Sequence, residues 1–198
     1  AVTIEGIKWA ALGLMVWDHV AFVFSPGHLI LRLPGRLVWP VFAALMALQL
    51  SRGYPPERYI RRLLPFALLA QVPYALAFGF PAFWPLNTLF SLLSTALFRV
   101  RWWEVAVLLS LLSDAPPTPL LVEALARNRA VLGGVVHGGW LWVSGWPWPY
   151  ALIGGLVVPV AWSLVTRARP GRRSPWWVFY AFYPAHLAVI ALVKAVRS

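Results

Sequence analysis

Apolar runs broken by short bursts of arginine constrain this chain more than any other feature. Nine runs lie near 6–24, 36–51, 62–80, 86–98, 102–113, 117–126, 131–145, 149–166 and 176–195. None alternates with period two, and leucine and alanine dominate them, so they read as helices and not as strands of a barrel. A helix needs roughly 20 mostly apolar residues to cross lipid. The first, third, eighth and ninth runs meet that length. The fifth, sixth and seventh are too short to stand alone in lipid, so they must pack inside the bundle, tilt, or cross halfway. The expectation is an all-α fold: a polytopic integral membrane helical bundle of about nine transmembrane or half-spanning helices, with 1–198 as one transmembrane domain.

Composition removes most other classes. Of 198 residues, 61% are hydrophobic and 12% charged, where an ordinary soluble domain carries roughly 25% charge. A soluble surface needs more polarity than this, and a disordered chain needs less apolar content. There is no cysteine, which removes disulfide frameworks, thiolate metal sites and cysteine nucleophiles. With six acidic residues and four histidines, no metal site is expected. The net charge of +11 does not point to nucleic acid, because the arginines form no single patch. The phosphate-binding, dinucleotide-binding, serine-hydrolase and zinc-protease motifs are all missing.

The basic residues give an orientation. Lys8, then Arg52, Arg58, Arg61 and Arg62, then Arg99 and Arg101, then Arg127 and Arg129, then Arg167, Arg169, Arg172 and Arg173 mark alternate connections. By the positive-inside rule the N-terminus is cytoplasmic and, with nine spans, the C-terminus lies outside. The first run continues into Trp17-Asp18-His19 without an Ala-x-Ala pattern, so it reads as a span and not as a cleavable signal. Arg32 and Arg36 break the rule, because they fall on the outer side. Either they are stray charges, or Arg36 points into a polar cavity near Asp18 and His19.

Ionisable groups at membrane depth are expensive and are the first place to look for function. Asp18 and His19 are adjacent, and helical neighbours diverge by about 100°, so each must face a different partner. His186 sits near the middle of the last run. His137, Gln71 and Asn87 are polar interruptions of apolar helices, and each can simply be interhelical glue. Trp102-Trp103, the tryptophans at 140–148 and Trp176-Trp177 read as interfacial belts. The arginine clusters read as topology signals, or as receivers of a phosphate-bearing cofactor.

An ordered set of motifs resembles the TraX-like family of membrane proteins. It consists of Gly6-Ile7-Lys8 through Trp17-Asp18-His19, Gly35-Arg36-Leu37-Val38-Trp39-Pro40-Val41-Phe42, Tyr59-Ile60-Arg61-Arg62-Leu63-Leu64, Gln71-Val72-Pro73, Leu86-Asn87-Thr88-Leu89-Phe90 and Phe182-Tyr183-Pro184-Ala185-His186-Leu187. One departure stands out: the family's Asp-Tyr-Gly-like turn reads Asp114-Ala115-Pro116 here. The resemblance implies an acyltransferase-like membrane domain that takes acetyl groups from acetyl-CoA. It implies as acceptor the N-terminal amine of a pilin-like protein, or another acceptor at the outer face of a bacterial inner membrane.

Under that resemblance His19 is the expected base, with His186 as second candidate. Asp18 would orient Arg36 or His186. Arg36 or Asn87 would face the acyl carbonyl. Asn87, Tyr183, Arg61 and Arg62 are the expected substrate- and cofactor-binding residues, and membrane lipid and acyl-CoA the expected partners. Two other readings use the same residues: a small proton-coupled transporter relaying through Asp18, Arg36 and His186, and a structural subunit of a pilus or secretion assembly.

Overall fold

Every apolar run folds as a helix. In the computed structural model, which describes residues 2–172 and 174–197, these are α1 (Ile4–Phe24), α2 (Val38–Ser51), α3 (Pro56–Phe78), α4 (Thr88–Arg99), α5 (Trp103–Leu112), α6 (Thr118–Ala126), α7 (Ala130–Val143), α8 (Trp148–Arg167) and α9 (Trp176–Arg197). Arg173, one of the expected cytoplasmic arginines, lies outside the described residues. Two 3-10 turns, Leu29–Arg32 and Pro34–Leu37, lead directly into α2. Together with α2 they make a continuous helical stretch, Leu29–Ser51, long and apolar enough to cross a membrane. Ile4–Phe24, Trp148–Arg167 and Trp176–Arg197 also qualify. The chain is a multi-pass membrane protein. The third run lies in α3, which is long enough at 23 residues, but Glu57, Arg58, Arg61 and Arg62 in its first turns lower its apolar content and it does not join these four.

The helix ends follow local chemistry. Thr3 caps α1, its Oγ1 accepting the Gly6 N–H at 3.1 Å, and Pro56 opens α3 where no N–H is needed. Gly79 ends α3 at φ 74°, a left-handed conformation that glycine adopts without strain.

The chain groups into two compact units. One holds α1 as far as Ala21, the segment Ser25–Tyr54, and the chain from Leu120 through α8 and the connection after it. In it the backbone beside Thr3 pairs with Arg169, through Ile4 N–H to Arg169 O at 3.0 Å and Arg169 N–H to Val2 O at 3.1 Å. The α7–α8 pair approaches backbone to backbone. A Cβ on Gly134 would lie 2.6 Å from the Gly155 carbonyl oxygen, and one on Gly138 would lie 2.9 Å from that of Ala151. Helices in lipid associate through this kind of close van der Waals contact between small residues.

The second unit holds Phe22–Phe24, Pro55–Pro119 and the chain from Ser174. There α3 packs against α4 and α9, and α4 against α5. Lys194 Nζ donates to the Ala77 carbonyl at 3.2 Å, placing a cation on the C-terminal end of α3, where the helix dipole is negative.

The glycine contact makes a direct prediction. Gly→Ala on an open helix face gains about 0.5–1 kcal/mol. Gly139→Ala, which meets nothing within 4 Å, should therefore hold or raise the unfolding midpoint in detergent. Gly134→Ala should lower it, by roughly 1–3 kcal/mol of overpacking. Equal behaviour of the two variants would contradict the α7–α8 contact.

Candidate functional site

Two polar clusters stand out against the apolar background, one in each unit. The first is built on Asp18, on α1. Its carboxylate is shared by two guanidiniums from the turns that follow. Arg32 Nε lies 3.3 Å from Oδ1 and its NH2 nitrogen 3.4 Å from Oδ2; the Arg36 NH2 nitrogen lies 3.3 Å from both oxygens. All three side chains are nearly buried, at 11% exposure for Asp18 and 13% for each arginine. Gly35 makes the arrangement possible. A Cβ there would lie 2.5 Å from Cβ and Cγ of Asp18, so only a glycine lets this turn ride on the carboxylate. Both guanidiniums also lie over the ring of Trp146, with Cζ atoms at 4.9 Å for Arg32 and 4.4 Å for Arg36, inside cation–π range. Trp17 Nε1 donates to the Leu31 carbonyl at 2.7 Å, tying α1 to the first turn.

Arg36 is therefore a partner of Asp18, as one of the sequence alternatives had it, and it is not a stray surface charge. Arg32 is a second partner of the same carboxylate. Its signal was present: two arginines four residues apart on the side that should lack them. His19 follows Asp18 on α1 and is half-buried.

The second cluster centres on Asp114, in the connection between α5 and α6. Leu86 N–H donates to Leu112 O at 2.8 Å, and Asp114 N–H donates to Leu86 O at 3.0 Å, which holds this connection against the start of α4. Thr88 Oγ1 then donates to the carboxylate at 2.6 Å, Tyr74 OH at 3.3 Å and Ser91 Oγ at 3.5 Å. These three hydroxyls hold the carboxylate of a residue that is exposed overall. Asp114 was not among the expected site residues. Its signal was scarcity, as one of six acids in the chain.

Asn87 is architectural in this structure. Its Oδ1 accepts the Leu89 N–H at 3.1 Å as cap of α4, and its Nδ2 donates to Ala67 O at 2.8 Å and Gln71 Oε1 at 2.9 Å. Gln71 in turn donates to the carbonyls of Ala82 and Pro85, each at 3.1 Å. His186, on α9, has Nδ1 3.0 Å from the Phe182 carbonyl. A carbonyl only accepts, so Nδ1 carries the proton and Nε2 is the basic nitrogen. Its ring stacks on Phe182 and meets Tyr183 edge-on, with centroids at 5.4 and 5.5 Å. Arg62 lies 4.6 Å over the Trp176 ring, while Arg61 is exposed. A small apolar cavity lined by Ile7, Ala11, Leu14, Val41 and Leu164 offers no group that titrates or donates.

If Gly35 is what admits Asp18 to the arginine pair, Gly35→Ala should cost roughly 1–3 kcal/mol by overpacking, read as a lowered unfolding midpoint. Asp18→Asn, which strips the carboxylate from two buried cations, should cost more, about 3–5 kcal/mol. A Gly35→Ala protein as stable as the parent would refute this packing.

A family model described as TraX protein matches residues 3–112. Protein TraX of Escherichia coli is 41% identical over 76 residues, which are 38% of this chain and 30% of that protein. The chain thus matches less than a third of that relative's length. No solved structure matches. The family-matched stretch contains Asp18, His19, Arg32, Arg36, Arg61, Arg62 and Asn87, while Asp114, Tyr183 and His186 lie beyond it.

Proposed function

This chain belongs to the TraX family, and on that premise we propose that it is a membrane-embedded acyltransferase. It moves an acetyl group from acetyl-CoA to the N-terminal amine of a pilin-like acceptor at the outer face of a bacterial inner membrane. One observation carries the reading: the stretch shared with the family holds a nearly buried Asp18–Arg36 pair directly beside His19.

In this proposal His19 is the base. It accepts a proton from the acceptor ammonium, a task suited to a group whose ordinary pKa is about 6.5. The amine nitrogen then attacks the thioester carbonyl carbon. The tetrahedral oxyanion collapses, the C–S bond breaks, and the departing thiolate takes up a proton, giving the amide and free CoA thiol. The chain has no cysteine, so transfer is direct and not through a thioester on the protein. Asp18 and Arg36 act as positioning residues. Their bond fixes the rotation of α1, and His19 is presented about 100° around the helix from them.

A second reading makes His186 the base. It is favoured by the Phe182 carbonyl, which leaves Nε2 as the proton acceptor.

The test is thiol release from acetyl-CoA by the full chain in detergent, with a pilin N-terminal peptide as acceptor. His19→Ala should lower the rate by roughly 10²–10⁴-fold, the usual contribution of a general base. Retained activity in His19→Ala together with its loss in His186→Ala moves the role to His186. No turnover by the parent protein favours the transporter or the structural subunit.

Topology is checked independently. The cysteine-free sequence makes single-cysteine labelling clean. Gly27→Cys should react with an impermeant maleimide in intact cells, and Ser51→Cys only after permeabilisation. The reverse pattern would invert the proposed orientation.

A further inference from the structure

The Asp18 cluster holds more positive charge than its own acid cancels. Two guanidiniums share one carboxylate, so the trio carries a net charge of +1. Nearly buried cations favour a hydrogen-bonded anionic partner. The bonds within the trio are also long. At 3.3–3.4 Å they exceed the roughly 2.7–2.9 Å of a tight guanidinium–carboxylate pair, so the donors stand back from Asp18.

Three buried nitrogens of the same unit lack a hydrogen-bond partner. Arg36 Nε, Trp39 Nε1 and His137 Nδ1 are buried without a hydrogen-bond partner. Buried polar groups in proteins are paired in the large majority of cases, so each such group needs an explanation. Here they converge. Trp39 follows Arg36 by three residues, on the same face of one continuous helical stretch. His137 is 6% exposed and close enough to Arg36 for the two to interact electrostatically. Trp146 floors both guanidiniums.

The level in the membrane identifies the anion. Asp18 stands about 9 Å before the end of α1 at 1.5 Å per residue. Trp146 lies in the α7–α8 connection, and Trp17 and Trp39 flank the α1–α2 turns. Tryptophan gathers at the headgroup level of a bilayer, where the abundant singly charged group is a phosphodiester.

We propose that Arg32, Arg36, Trp39 and His137, with Asp18 setting the residual charge at +1, form a binding site for a phosphodiester monoanion. One non-ester oxygen lies between the guanidiniums, and the other accepts from Trp39 Nε1 and the His137 ring. Asp18 keeps the pocket from attracting dianions and holds the arginines apart. This site stands independently of acyl transfer, and its test contains no acyl donor.

The full chain in maltoside detergent is unfolded thermally, followed by tryptophan fluorescence, at constant ionic strength. Three additives are titrated: dihexanoylphosphatidylglycerol, dimethyl phosphate and sodium acetate. The expected result is a saturable rise in midpoint with at least one phosphodiester and none with acetate. A rise with the lipid alone identifies the bilayer as the source; a rise with both identifies any phosphodiester as a ligand. Trp39→Phe removes one donor to a charged group and should weaken the apparent affinity about tenfold. Arg32→Gln should weaken it further. Trp39→Phe keeps the ring, so it serves even where the arginine variant fails to fold. No rise with either phosphodiester, an equal rise with acetate, or parental affinity in Trp39→Phe would each overturn the proposal.

Discussion

Two nearly buried arginines need an opposite charge, and in this chain Asp18 meets both. The consequences run outward from that carboxylate. It fixes where the two turns after α1 lie, because Arg32 and Arg36 must both reach it. It dictates a glycine at position 35, because no Cβ fits between the turn and the acid. It also starts α2 at a defined rotation, since the turn carrying Arg36 runs into that helix without a break. Removing one partner of such a group exposes the others to the full desolvation cost. The cluster is thus a folding constraint before it is anything chemical.

The second unit handles polarity differently. Asp114 has no guanidinium at its side; hydroxyls from Thr88, Tyr74 and Ser91 satisfy it. Asn87 and Gln71 satisfy one another and the carbonyls around them. These networks are neutral apart from one acid, and every donor named has an acceptor. Such networks rigidify the elements they join. Here they lock the connection after α3 and the connection after α5 onto the start of α4.

Much of the fold was legible along the chain. Nine apolar runs foresaw nine helices among the described residues, because helix formation in lipid depends on local apolar content and on internal backbone hydrogen bonding. Arg36 as a buried partner of Asp18 was legible too, since an arginine on the wrong side of the topology pattern asks for a reason. The short 3-10 turns were not legible, because turns that form under a tertiary ion pair leave little local signature. The contacts of Asp114 were not legible either. Its partners come from positions 74, 88 and 91, and nothing local announces contacts between residues so far apart in sequence. Asn87 was noticed as polar, but whether it caps a helix or meets a substrate depends on where Gln71 and Ala67 arrive.

The close contact between α7 and α8 bears on how the chain enters the membrane. With 14 residues, α7 reaches about 21 Å at 1.5 Å per residue, short of the roughly 30 Å hydrocarbon core. Released alone into lipid, it would leave its ends mismatched and His137 facing acyl chains. Its glycine face meets α8 through Gly134 and Gly138, while Gly133 also meets Leu121 and Leu125 of α6. In lipid α7 is therefore better placed as one arm of a helical hairpin with α8 than as a separate span.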